Sequence, residues 1–278
     1  MPQSRTRIGI VAPASRLTQQ AADDVAALAG ARHGDRAALV FHPQCFLSSG
    51  HFAGTDAQRE AAFLDFANDA SLDAVWFARG GYGSGRIASR ACARLAPAAK
   101  DKRYLGYSDM GTLLAGLYRQ GCKVAHGPMP ADLRRQGGDA AVARALDWLV
   151  DEDAETLEPH VTRDTAAAAF NITVLSHLLG TDVEPDLTGH VLMLEDVSEH
   201  LYRIDRAMFH ILGQRTMRGL KGIRLGRVSD VLPNDPDFGQ TEEEIVRHAC
   251  ERFAVPYLGR CDIGHDAANK IVPFGKGW

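Results

Sequence analysis

Ser108 stands in Leu105-Gly106-Tyr107-Ser108-Asp109-Met110-Gly111, between two stretches of different character. Lys102-Arg103-Tyr104-Leu105 reads as the end of a buried strand, and Thr112 to Gln120 carries Leu113, Leu114 and Leu117 at helical spacing. A serine at such a strand-to-helix turn sits on a strained backbone, with a small residue two positions earlier, Gly106, leaving room for the crossing chain. The following helix aims its free N–H groups and the positive end of its dipole at the same spot, where an oxyanion would form. The chemistry this suits is acyl transfer. The same Ser-Asp pair also suits helix capping, and Met110 stands where a Gly-x-Ser-x-Gly elbow has its second glycine. The turn alone leaves both readings open.

Other groups could join the serine. Arg79-Gly80-Gly81-Tyr82-Gly83-Ser84-Gly85-Arg86 follows the apolar run Asp73 to Ala78 and fails the Gly-x-Gly-x-x-Gly spacing of a dinucleotide loop. It offers bare backbone N–H groups at the C-terminal edge of a parallel sheet, where ligands of open α/β folds bind. Gly80 or Gly81, with Asp109, could supply the donors of an oxyanion hole. Arg79 could meet a substrate carboxylate or a neighbouring acid. Glu195-Asp196 directly follow the apolar run His190 to Leu194, and carboxylates are costly to bury there without work to do. His265, in Ile263-Gly264-His265-Asp266, falls in a loop between strands. Serine, carboxylate and histidine in that order could be nucleophile, orienter and general base. His126 is a second base candidate by residue type. No histidine falls in a metal-ligand spacing, so no metal and no cofactor is expected.

These residues need elements to hold them. The chain has 278 residues, 45% of them hydrophobic, and a net charge of only −4, which allows two packed units and argues against a nucleic-acid partner. The five cysteines are scattered without a Cys-x-x-Cys pair, so reduced thiols and a cytoplasmic location are expected. Ile8 to Ala12 is too short and too soon broken by Pro13 for a signal peptide, and no apolar run approaches a membrane span. Strands at Arg7 to Ala12, Ala38 to Phe41, Asp73 to Ala78 and Lys123 to His126 alternate with helical patterns, which predicts an α/β fold with a doubly wound parallel sheet. The acidic Asp151-Glu152-Asp153-Ala154-Glu155 and the small-residue tract to Ala169 mark a boundary. The expected organisation is residues 1–150 with the nucleophile, 151–169 as interdomain linker, and 170–278 with the carboxylate and histidine. In the last unit, Phe170 to Leu175 reads as a strand running into a helix that stops near Gly180. Helices follow at Glu199 to Leu212 and Thr241 to Phe253, and strands at Gly222 to Val228, Tyr257 to Asp262 and Lys270 to Phe274.

Taken together and in order, Ile8-Gly9-Ile10-Val11-Ala12-Pro13, Arg79-Gly80-Gly81-Tyr82-Gly83, Gly106-Tyr107-Ser108-Asp109, His126-Gly127-Pro128, Leu194-Glu195-Asp196-Val197 with Tyr202-Arg203-Ile204-Asp205-Arg206, and Ile263-Gly264-His265 resemble the LD-carboxypeptidases, a serine peptidase family that includes the microcin C immunity protein. The resemblance spans nearly the whole chain. It implies a flavodoxin-like parallel-sheet N-terminal domain and a smaller β-rich α/β C-terminal domain, with Ser108 as nucleophile, Glu195 orienting His265, His265 as base, and Gly80, Gly81 and Asp109 as oxyanion hole. Arg79 and Asn171 are the candidates for substrate binding. The implied substrate is the murein tetrapeptide, cut to release terminal D-alanine, and a homodimer is the expected assembly. One departure is Ala169-Phe170, where the family commonly has glycines before Asn171. Two other activities fit the pattern less directly: hydrolysis of peptidyl-nucleotide conjugates, for which Thr156 to Ala169 lacks an aromatic side chain to stack on a base, and non-catalytic binding of a small molecule or peptide.

Overall fold

The computed structural model describes residues 5–278. The first sheet contains the parallel strands β1 (Thr6–Val11), β2 (Ala37–Phe41), β3 (Ala74–Phe77), β4 (Arg103–Gly106) and β5 (Lys123–His126), in the spatial order β2-β1-β3-β4-β5. Helices α1 (Gln19–His33), α2 (Asp56–Asn68), α3 (Ala88–Cys92), α4 (Gly111–Arg119) and α5 (Gly138–Asp151) are interleaved with these strands. Alternate residues of a strand face opposite sides, and β3 shows the consequence. Val75 and Phe77 pack with Phe63, Leu113 and Leu117 of α2 and α4, while Trp76 packs with Val25, Leu146 and Leu149 of α1 and α5. Full burial of one such side chain is worth roughly 1.5–3 kcal/mol, and with helices on both faces β3 is apolar throughout.

The second sheet is smaller and entirely parallel: β6 (Ala167–Asn171), β7 (Val191–Val197), β8 (Gly222–Ser229) and β9 (Tyr257–Arg260) in sequential order. Its helices are α6 (Ile172–Leu178), α7 (Leu201–Gly213) and α8 (Glu242–Phe253). Ile204, Met208, Ile211 and Leu212 of α7 recur at helical spacing and are buried together with Leu192, Leu194, Ile223 and Leu225. Thr241 and Glu244 close a capping box at the start of α8. The same core extends through Phe170, Leu175 and Phe274 to α4, so the two sheets share one hydrophobic interior.

Three details differ from the sequence reading. The segment expected as a strand to Leu175 turns helical at Ile172, because Asn171 caps α6 by accepting the Val174 N–H at 3.0 Å. The β-branched run Ile172-Thr173-Val174 favours a strand only weakly, and the cap overrides it. The last strand, β10 (Val272–Pro273), pairs antiparallel with β5 on the edge of the first sheet and does not extend the second. Strand β6 begins at Ala167, inside the stretch expected as linker. No helix among the described residues is long and apolar enough to cross a membrane.

Candidate active site

Ser108 follows β4 in the turn that enters α4, at φ 61°. A non-glycine residue there costs on the order of 1–3 kcal/mol and persists only where its surroundings hold it. Both flanks do so. On one side the Tyr107 hydroxyl donates to Asp132 Oδ1 at 2.8 Å. On the other, the buried Asp109 carboxylate accepts the Ser84 N–H at 2.9 Å while the Ser84 hydroxyl donates to the Asp109 carbonyl at 2.6 Å. Gly106 is small by necessity, since a Cβ there would lie 2.8 Å from the Phe77 ring.

His265 reaches Ser108 from the loop after β9. Its Nδ1–H donates to Glu195 Oε2 at 2.5 Å, and its Nε2 accepts from the Ser108 hydroxyl at 3.0 Å. An ionised carboxylate only accepts, so Glu195 fixes the tautomer and leaves the Nε2 lone pair for the serine proton. Glu195 is fully buried at a point where the register between β7 and β8 shifts, an irregularity that re-aims a side chain. The loop is brought to β8 by the Arg227 N–H, which donates to the Ile263 carbonyl at 2.8 Å. Burial pushes the imidazole of His265 down, but the adjoining Glu195 charge and hydrogen bond outweigh it and set the net direction upward, with Arg135 opposing.

Asp196 faces away from this pair. Its Oδ1 accepts from Asn171 Nδ2 and from the Val197 N–H, both at 2.8 Å, and its Oδ2 accepts from the Thr173 N–H and hydroxyl, both at 3.0 Å. Burial raises its carboxyl to about 6. Asn171 is thereby committed at both ends of its amide, to the cap of α6 and to Asp196, and does not line the cleft that holds Ser108. His126, the other base candidate, is buried and donates from Nε2 to Asn269 Oδ1 at 3.1 Å; burial pushes it down to about 4, so it is a neutral structural group.

Ser108 and His265 open on a cleft of about 520 Å³. The Gly80-Gly81 turn forms one wall, so close that a Cβ on Gly80 would lie 3.0 Å from both Cβ and Oγ of Ser108. Arg79 lines this cleft, as do Arg16, Arg134 and Arg135, against a single acid, Asp132. Of this cationic wall the sequence offered only Arg79, since Arg16 and the Arg134-Arg135 pair lie far from it along the chain. The cleft thus brings together Ser108, His265, Arg79, Gly80 and Gly81, with Glu195 behind His265 and Asp109 next along the turn. Among the described residues no cluster of three or more His, Cys, Asp or Glu is placed to hold a metal ion.

A buried acid, an imidazole and a serine on a positive-φ turn, joined in series at the edge of a parallel sheet, define a serine hydrolase geometry. The chain belongs to the LD-carboxypeptidase family: residues 8–127 match the LD-carboxypeptidase N-terminal domain and residues 168–277 the LD-carboxypeptidase C-terminal domain. A Synechocystis sp. relative is 30% identical over 231 residues, covering 82% of this chain and 76% of its own. The murein tetrapeptide carboxypeptidase of Pseudomonas aeruginosa is 29% identical over 241 residues, 81% of this chain and 78% of that one. The fold matches the crystal structure of muramoyltetrapeptide carboxypeptidase from Oxalobacter formigenes, with a TM-score of 0.81 at 22% identity over 96% of this chain and 93% of that one. It also matches the wild-type apo microcin C7 self immunity protein MccF, at 0.77 and 16% over 97% and 91%.

Proposed function

We propose that this protein is a serine carboxypeptidase that cleaves the L,D-peptide bond of murein tetrapeptides and releases terminal D-alanine through an acyl-enzyme. The observation that carries the reading is the continuous relay from Glu195 Oε2 through His265 to Ser108 Oγ, at 2.5 and 3.0 Å. In this mechanism His265 Nε2 takes the hydroxyl proton as Ser108 attacks the scissile carbonyl, and Glu195 stabilises the imidazolium that forms. The new oxyanion accepts hydrogen bonds from backbone N–H groups of the Gly80-Gly81 turn and Asp109. His265 then returns its proton to the leaving amine of D-alanine, and water, activated by the same imidazole, hydrolyses the ester on Ser108. Arg79 belongs to the substrate cleft in this reading.

The murein substrate is supported by the relatives from P. aeruginosa and Bacillus subtilis, whose names specify murein peptides. We further read residues 1–150 and 170–278 as two domains joined by 151–169, the first supplying Ser108 and the second Glu195 and His265. A cytoplasmic location and a homodimer belong to the same reading and rest on the family resemblance. The test is a panel of murein tri-, tetra- and pentapeptides beside a peptidyl-nucleotide conjugate, with free D-alanine and free nucleotide quantified. Release of D-alanine from the tetrapeptide is expected. Cleavage of the conjugate without any D-alanine release would transfer the proposal to the immunity-type activity.

A further inference from the structure

We propose that Arg135 is a positioning residue for the general base, holding the main chain of His265 against the nucleophile turn. The proposal rests on the serine-hydrolase reading above and adds a part to it. Arg135 follows the short helical turn Pro130–Arg134 that leaves the first sheet after β5. Its Nε forms an ion pair with Asp132 Oδ1 at 2.9 Å, and its Nη1 donates to the carbonyl of His265 itself. Asp132 is buried and already fixed, because Oδ1 also accepts the Tyr107 hydroxyl and Oδ2 accepts the Met129 N–H, both at 2.8 Å. Tyr107 precedes Ser108 in the chain, and its ring lies 4.8 Å from the ring of His265.

These contacts close a circuit around the reacting hydrogen bond. One path runs from Ser108 Oγ to His265 Nε2; the other runs from Tyr107 through Asp132 and Arg135 to the His265 carbonyl. The rest of the loop is tied elsewhere. Arg144 donates to the Ala267 and Asn269 carbonyls at 3.0 and 2.9 Å, and Asn269 Oδ1 accepts the Gly264 N–H at 3.2 Å. Arg135 is therefore the group that fixes the peptide of the base. A planar fork with several donors can hold a carboxylate and a carbonyl at once, which an ammonium does poorly. Misplacement of a catalytic group by about 1 Å costs on the order of 10²-fold in rate.

The guanidinium also acts through charge. The titratable and charged groups around His265 are Glu195 and, turned away behind it, Asp196 from β7, Tyr107 and Ser108 from the nucleophile turn, His126 from the end of β5, and Arg135, with Asp132 paired to it, from the loop beyond. Within its own loop, Asp266 is paired with Arg227. Arg135 is the cation bonded to the His265 main chain, and it opposes protonation of the imidazole.

The experiment compares Arg135→Met, Arg135→Lys and Tyr107→Phe with wild type for kcat, KM, pH profile and thermal midpoint, on a tetrapeptide ending in D-alanine. For Arg135→Met, kcat should fall roughly 30- to 100-fold, KM should stay within about threefold, and the rising limb of kcat/KM should move to higher pH because a cation beside His265 is gone. Arg135→Lys should return the limb toward wild type and recover part of kcat. Tyr107→Phe, which keeps the ring but frees Asp132, should give a smaller loss of kcat. A kcat within twofold of wild type for Arg135→Met, or a loss confined to KM with an unmoved limb, overturns the proposal and makes Arg135 a substrate contact or a bystander. Should Arg135→Met not fold, wild-type kcat in both other variants overturns it. Ser108→Ala run alongside separates the two levels: an active Ser108→Ala sinks the hydrolase reading, whereas a dead Ser108→Ala beside normal Arg135 variants sinks only this inference.

Discussion

Glu195→Gln removes the charge of the fully buried Glu195 beside His265 and leaves the shape almost unchanged. In the proposed mechanism the ground state needs Glu195 only as a hydrogen-bond acceptor, but the transition state needs its charge, because His265 becomes an imidazolium. At about 4 Å between charge centres and an effective dielectric of about 20, that interaction is worth about 4 kcal/mol, or about three decades in rate. The amide also has two orientations. With its oxygen toward Nδ1 the tautomer survives, but the NH₂ group replaces Oε1, an atom with no hydrogen-bond partner among the described residues, and gains none there. With its NH₂ toward Nδ1 the proton moves to Nε2, and nothing takes the serine proton. Together these effects predict a fall in kcat of roughly 10³- to 10⁴-fold. Stability should change little, since a costly buried charge is exchanged for a buried amide with an unpaired NH₂ group. The assay is kcat on a D-alanine-terminated tetrapeptide beside the thermal midpoint. Retention of more than about a tenth of wild-type kcat in a folded Glu195→Gln would refute the charge argument.

Asp196→Asn should behave in the opposite way, since four donors converge on its two oxygens and an amide nitrogen would meet one pair of them donor to donor; the cost is about 1–3 kcal/mol, a drop of several degrees in melting temperature with turnover per folded molecule largely kept. Gly80→Ala would place a methyl 3.0 Å from the Ser108 Oγ and should lower kcat by roughly 10²-fold, with far-UV circular dichroism unchanged; full activity would mean that the turn yields. Prolonged EDTA treatment should leave activity intact, since the proposed chemistry runs on side chains and backbone N–H groups; loss on chelation restored by zinc would reverse that expectation.

Part of this site could be read from residue order, because Ser108 and Glu195 come where apolar strand runs stop abruptly, after Leu105 and Leu194, whereas His265 lies in the loop beyond β9 and carries no such mark. The choice between Glu195 and Asp196 could not be made from spacing alone, since adjacent strand residues face opposite ways and only the packed loop shows which face receives His265; the family resemblance supplied it. The helix start at Asn171 was hidden for a local reason. An asparagine ahead of a helix is a cap signal, but Ile172-Thr173-Val174 hid the helix. Strand β10 is two residues long and carries no periodicity, so its return to the first sheet depends on contacts with β5 far away in sequence. Arg135 and Asp132 lie in a loop whose composition suggests only a solvated surface, and their tie to Tyr107 and His265 exists only once both sheets are assembled.

The most direct measurement is the site and pH dependence of labelling by a serine-directed phosphonate, read by intact-protein and peptide mass spectrometry. In the proposed mechanism a neutral His265 is the active base and protonation disables it. Glu195 raises this imidazole above its ordinary value, so the labelling rate should climb with pH through an apparent pKa above about 6.5. The account predicts a single adduct on Ser108, lost in Ser108→Ala and slowed by roughly 10³-fold or more in His265→Ala. An adduct on another residue, or labelling of Ser108 at an undiminished rate without His265, would contradict it.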